Sequence, residues 1–229
     1  WAQMGLLEIE RGIFNGLPPS DNNAFPAWGP NSLKLAYGRE ILDLANNSSI
    51  PVPGNAWDWS SDGRQLLCRR LIEGVRNEIL AQAVSPEGKL DGAPRVFADG
   101  AQARFSPDGR WVAFLSKKSG EDEVYVDAFP NAVRKVRIST AGGKFPVWSP
   151  DGREIYYVAP GNKLMAVRLK ITAGSLQPAA PQELFVLPVS DTPLFPFDVA
   201  KDGRFLVRAD VPQASKSLTA IVNWKALIK

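Results

Sequence analysis

The sequence predicts an all-β fold, a β-propeller of four-stranded antiparallel blades, on three observations. A hairpin pattern built on Ser-Pro-Asp-Gly recurs five times, its copies are spaced as propeller blades are, and no stretch carries a capped helical period. The clearest copy runs Phe105-Ser106-Pro107-Asp108-Gly109-Arg110-Trp111-Val112-Ala113-Phe114, and Trp148-Ser149-Pro150-Asp151-Gly152-Arg153 follows it closely. Trp59-Ser60-Ser61-Asp62-Gly63-Arg64 is a third, Val199-Ala200-Lys201-Asp202-Gly203-Arg204 a weaker fourth, and Trp28-Gly29-Pro30-Asn31-Ser32 the most worn. In each, an apolar residue ends a strand, a Pro or polar residue and an Asp open a turn, Gly takes the φ > 0 position, and an apolar strand returns.

The residues before the turns stand at 28, 59, 105, 148 and 199, giving intervals of 31, 46, 43 and 51. Four-stranded blades repeat at about 40–45 residues, and one blade cannot bury both of its faces alone. About five to six blades are therefore expected. Four full units with incomplete ones at each end would belong to a six-bladed ring; a closed five-bladed ring would need residues 5–10 to pair beside Leu218 to Trp224.

Taken in order, Gly5 to Gly12 reads as a strand and turn and Ile13 to Leu17 as its return. With no Met at position 1 and a start in mid-blade, residues 1–229 are expected to be one propeller domain forming the C-terminal part of a longer protein. Unit one (Phe25 to Pro53) is compact and adds the strand Glu40 to Leu44. Unit two (Ala56 to Phe97) adds Glu78 to Val84 and an outer strand near Arg95-Val96-Phe97. Unit three (Ala103 to Thr140) adds Val124 to Pro130, then Val133 to Ile138, whose alternating basic residues suit a half-solvated outer strand. Unit four (Pro146 to Pro188) adds Leu164 to Leu169 and Glu183 to Leu187, and unit five (Phe197 onward) adds Leu218 to Trp224. The second strands, as in Trp111 to Leu115 and Ile155 to Val158, are almost continuously apolar, as burial on both faces requires.

Composition narrows the chemistry. The 27 basic and 24 acidic residues give a net charge of +3, with the basic residues scattered, so nucleic-acid binding by this segment is not expected. The chain has no histidine, which removes the commonest general base, the commonest metal ligand and every Ser-His-Asp arrangement. The single Cys68, beside Leu66 and Leu67, reads as a small buried hydrophobe. No apolar run is long enough to span a bilayer, and no basic-then-apolar segment opens the sequence.

These repeats resemble the TolB-type, WD-like propeller repeat, whose signature is an aromatic, then Ser-Pro-Asp-Gly, then an apolar strand. The resemblance runs from Leu6 to Trp224. Tyr125 to Pro130, Ser139-Thr140-Ala141-Gly142-Gly143 and Pro146 to Gly152 are similar to the C-terminal propellers of bacterial serine/threonine kinases and winged-helix regulators, as is the ending from Phe197 to Trp224. The resemblance implies a bacterial scaffold or sensor module, possible fusion to an upstream kinase or winged-helix domain, and a periplasmic or other extracytoplasmic setting. Unit one departs from the signature with Gly29-Pro30-Asn31-Ser32, which leaves its turn geometry open, and no kinase or winged-helix motif lies in this chain.

The residues that could carry chemistry also have turn and packing roles. Asp62, Asp108, Asp151 and Asp202, with Gly63, Gly109, Gly152 and Gly203, are expected to be structural turn residues, and each following Arg to flank its turn. Glu121-Asp122-Glu123 lacks the alternation and turn glycine of a calcium loop and reads as a solvated loop. Trp28, Trp59 and Trp148 share a repeat position and read as blade-to-blade packing, whereas Trp57 breaks that register and reads as an exposed aromatic.

In an up-and-down blade the second-to-third loops and the interblade crossings share one face, and the crossings lie nearest the channel. They are Asn55-Ala56, Ala101-Gln102, Lys144-Phe145 and Pro193-Leu194, so Gln102, Lys144 and Phe145, together with the register-breaking aromatic Trp57, are the candidate contacts for a protein or small-ligand partner. No catalytic residue, metal site or cofactor is expected. The function predicted is a non-catalytic module; the alternative is the propeller accessory domain of a hydrolase, or a metal-dependent propeller enzyme.

Overall fold

Twenty-one strands and no helix make up the regular structure of the computed structural model, which describes residues 5–8, 13–16, 26–30, 32–73, 76–172, 174–189 and 196–207. Strands β1 (Gly5–Glu8) and β2 (Ile13–Gly16) pair as a hairpin. The first blade is β3 (Ala27–Trp28), β4 (Lys34–Tyr37), β5 (Glu40–Asp43) and β6 (Ser48–Pro51). The second is β7 (Asn55–Trp59), β8 (Gln65–Ile72), β9 (Arg76–Val84) and β10 (Leu90–Asp99). The third is β11 (Ala101–Phe105), β12 (Trp111–Ser116), β13 (Glu123–Ala128) and β14 (Val136–Arg137). In the fourth, β15 (Lys144–Trp148), β16 (Glu154–Ala159) and β17 (Lys163–Thr172) precede β18 (Ser175–Pro178) and β19 (Gln182–Val186). A hairpin of β20 (Phe197–Val199) and β21 (Phe205–Val207) follows. The first three blades are antiparallel meanders and the fourth is an antiparallel sheet of five strands, so the expected all-β propeller architecture is what forms.

The apolar cores lie between blades. Along β12, Trp111 and Ala113 pack with Trp148, Ile155 and Tyr157 of the fourth blade. Their alternates Val112 and Phe114 pack with Leu67, Ile79 and Phe97 of the second. Strand β16 divides the same way: Ile155 and Tyr157 face the third blade, while Val158 joins Phe197 and Phe205 beyond the fourth. Successive side chains point to opposite faces of a strand, so an apolar neighbour on each side demands an unbroken apolar run.

The first-to-second turns carry one hydrogen-bond design. Ser60, Ser106 and Ser149 donate from Oγ to Oδ1 of Asp62, Asp108 and Asp151 at 2.6, 2.6 and 2.7 Å. The same Oδ1 atoms accept from the N–H of Arg64, Arg110 and Arg153, and Asp202 accepts likewise from Arg204. Arg110 and Arg204 also pair with their turn aspartates through Nε. The worn first turn keeps the same form, because Ser32 takes φ 56° and donates its N–H to the Gly29 carbonyl as Gly63 does to Ser60.

Two expectations change. The outer edge of the fourth blade is divided: β19 pairs with the first part of β17 and β18 with its last part, a hairpin reversing at Gly174. That excursion, absent from the sequence reading, lengthens the interval before Val199. Trp28 is 49% exposed, whereas Trp59 and Trp148 are buried against the blade before them. Among the described residues no four-stranded blade precedes Trp28. The strand expected over Leu218 to Trp224, and the crossing Pro193-Leu194, lie outside the described residues.

Candidate functional site

At the start of three of the innermost strands, β7, β11 and β15, the backbone breaks its pairing. The register shifts between Ala56 and Asp58 in β7, between Ala101 and Arg104 in β11, and between Lys144 and Val147 in β15. Such a bulge re-aims the side chains beside it. In β11 and β15 it places non-glycine residues in the left-handed region, Gln102 at φ 53° and Phe145 at φ 57°. Backbone held in that region is found where the surroundings over-determine it, commonly beside functional surfaces.

The three bulges border one cleft of about 770 Å³, completed by the second-to-third strand loops. Trp57, Gln102, Lys144 and Phe145, singled out separately in the sequence, all line it. Their situations differ. Lys144 is exposed, and its Nζ lies 3.4 Å from Asp122 Oδ2. Gln102 uses its side-chain carbonyl within the protein, accepting from the Phe145 N–H at 2.7 Å. Phe145 is 7% exposed and packs with Val147, Val158 and Phe197. Trp57 is 4% exposed, not the open aromatic expected. It stands at the register shift of its bulge, between Ala56, opposite Cys68, and Asp58, opposite Leu67, and is buried in the wall of the cleft.

Three residues of the wall were not singled out from the sequence. Arg69 Nε, Asn77 Oδ1 and Asp122 Oδ1 are buried and have no hydrogen-bond partner among the described residues. Arg69 stands two positions after Leu67, and Asn77 two before Ile79, so both are on the side of the second blade that faces the third. The available signal was positional: both are polar where the alternation reserves a place for a buried apolar residue. Buried polar atoms are almost always matched, and these three unmatched ones border one cleft.

The acidic run over residues 121–123 is not a solvated loop throughout. Glu121 is exposed, while Asp122 borders the cleft between Lys144 and Lys117, the latter at 3.8 Å. Glu123 is buried on β13, where its carboxylate accepts from Arg137 and from the Ser139 hydroxyl. Only Glu123 belongs to the strand, and the two residues before it lie in the loop that leads into β13. Among the described residues, no three His, Cys, Asp or Glu side chains gather as a metal site.

A second opening, of about 590 Å³, is lined by first-to-second turn residues and the inner strands. There Asp58 accepts from the Phe105 N–H at 2.7 Å, with Arg104 Nη1 at 3.5 Å. Burial holds the Asp58 carboxyl above its ordinary range, with the Arg104 charge opposing.

No family model matches the chain. It is 24% identical over 147 residues to an uncharacterized protein of Agrobacterium fabrum, covering 55% of this chain and 45% of that protein. Among solved structures it is similar to TolB from Acinetobacter baumannii, with a TM-score of 0.66 at 18% identity over 91% of this chain and 54% of that one. It is also similar to an oligogalacturonate lyase from Vibrio parahaemolyticus, with a TM-score of 0.60 at 14% identity over 92% of this chain and 65% of that one. The periplasmic gluconolactonase of Pseudomonas aeruginosa gives 0.59 at 16% over 96% of this chain and 77% of that one. The chain spans about half the length of the Agrobacterium protein and of TolB. What these likenesses establish is the fold, a TolB-like β-propeller.

Proposed function

We propose that this chain is a non-catalytic binding module, a propeller that holds a protein or small-ligand partner in the cleft on its crossing face. The observation that carries this reading is the wall of that cleft, where Arg69 Nε, Asn77 Oδ1 and Asp122 Oδ1 await partners from two blades at once. A concave site with a few convergent polar groups is the usual form of a ligand site. The chain offers no histidine as a base, and the turn aspartates spend their carboxylates on their own turns. In this reading it serves a bacterial signalling or TolB-like envelope protein in the periplasm or another extracytoplasmic space, attached to a kinase, a winged-helix domain or further blades. The gene upstream of Trp1 and fractionation of cells expressing the whole protein test that setting.

The enzymatic alternative draws on the similarity in fold to a lactonase and a lyase. In it the chain is a metal-dependent propeller enzyme or the propeller of a hydrolase. Metal content after dialysis, together with a panel of lactone, ester and uronate substrates, separates the two. Neither turnover nor stoichiometric metal is expected; either one would reverse the assignment.

A further inference from the structure

We propose that the crossing-face cleft takes a small polyhydroxylated monocarboxylate, its carboxylate on Arg69 and its hydroxyls on Asn77 and Asp122. This rests on the binding-module reading of the same cleft and adds the class of ligand.

Arg69 makes no ion pair among the described residues, and its buried Nε is an unmatched donor. A guanidinium presents a planar fork that fits a carboxylate, and its charge-assisted hydrogen bonds to an anion are stronger than those to a neutral acceptor. Asn77 Oδ1 is an unmatched acceptor on the neighbouring strand; Leu71 stands opposite it, and Arg69 lies diagonally across on the same side of the sheet. It requires a donor from the ligand.

Asp122 Oδ1 has the Lys117 ammonium at 3.8 Å as an ion pair but accepts no hydrogen bond among the described residues, and its neighbours decide which kind of donor it can add. Lys144 Nζ is 3.4 Å from one carboxylate oxygen and Lys117 Nζ 3.8 Å from the other. A ligand ammonium would be a third cation at a carboxylate already flanked by two. A hydroxyl donates without that repulsion. Around the wall, Arg69, Lys117 and Lys144 stand against Glu121 and Asp122, one positive charge in excess, which a single carboxylate neutralises. The cleft volume of about 770 Å³ falls within the range of small-molecule sites, roughly 300–1,000 Å³, and leaves room for a molecule of sugar size.

Calorimetric titration of the full-length protein with D-gluconate tests this, beside glucitol, which lacks the carboxylate, butyrate, which lacks the hydroxyls, and glycine, which carries an ammonium. Gluconate is expected to bind and the other three to be weaker by about tenfold or more, the order of one lost charge-assisted hydrogen bond. Arg69→Gln should weaken gluconate by about tenfold or more while leaving glucitol unchanged. If that variant does not fold, Asn77→Ala serves, and the ranking of the four probes on the unaltered protein already decides. Glucitol or glycine binding as tightly as gluconate, gluconate binding that ignores Arg69→Gln, or no binding by any of the four overturns the proposal. The binding-module reading fails on separate grounds, by turnover in the substrate panel or by partner binding that Lys144→Ala does not disturb.

Discussion

The side-chain carbonyl of Gln102 accepts a hydrogen bond from the backbone N–H of Phe145 at 2.7 Å, joining the crossing into the third blade to the crossing into the fourth. Both residues sit at their bulges with positive φ, so a side chain of one irregular turn satisfies the backbone of the next.

Gln102→Ala removes that acceptor from a largely buried N–H. A loss of about 1–3 kcal/mol in stability is expected, read from urea unfolding midpoints. Gln102→Glu, which keeps an oxygen in place, should lose less. Equal losses in both would show that the bond contributes nothing.

Gly63 and Gly109 occupy equivalent turns at φ 75° and 69°, but only Gly63 faces a neighbour closely, since an added Cβ would lie 2.8 Å from Pro30 of the first blade. Gly109→Ala should cost about 1–2 kcal/mol for its left-handed backbone. Gly63→Ala should cost measurably more, the excess reporting the contact between blades. Thermal unfolding of the two variants side by side gives the comparison.

Cys68 is 1% exposed in the core shared by the first two blades, and burial pushes its thiol pKa up to about 12. Neither access nor thiolate is available near neutral pH. A thiol reagent should leave the folded protein unlabelled and label it fully in strong denaturant. Rapid labelling under native conditions would mean that this interface opens.

Acid should loosen the turns. The Asp62 and Asp151 carboxyls are held below the usual range, first by the hydroxyls of Ser60 and Ser149 and then by the N–H groups of Arg64 and Arg153. A depressed carboxyl contributes stability that is complete above its unfolded value, about 3.9, and is lost as pH falls through the folded one. Asp58 has the opposite sign, its raised carboxyl contributing stability below about 3.9 that is lost as pH rises through the folded value. Urea midpoints measured from about pH 3 to pH 7 should fall on the acid side for the unaltered protein. They should fall less there for the Asp62→Asn, Asp151→Asn double variant. Asp58→Asn should flatten the decline above that point.

Legibility followed the range of the interactions. The turns could be read because Ser60-Ser61-Asp62-Gly63 and its copies carry their own bonds within a few residues. The second strands could be read because two apolar neighbours leave an unbroken run, as in Trp111 to Leu115. The outer edge of the fourth blade was only partly legible, since a strand with one partner and one solvated face tolerates many residues, and β18 was missed. The face of the cleft was legible from strand direction alone, but not which side chains stay available there. Gln102 and Phe145 are bound to each other, and Arg69 and Asn77 gain their place only from the register of β8 with β9.

The alternation along β12 also limits how such a chain can change length. Deleting one residue there would send Val112 and Phe114 towards the fourth blade and turn their places over to the wrong neighbours, damaging two interfaces in a single event. Trp28 opposite Leu35, Trp59 opposite Leu66, Phe105 opposite Val112 and Trp148 opposite Ile155 hold one constant spacing across the inner hairpin. The repeats themselves are 31, 46, 43 and 51 residues apart. The differences in length therefore fall outside that hairpin, as in the β17–β18 excursion, where a blade can lengthen without changing the face that any inner residue presents.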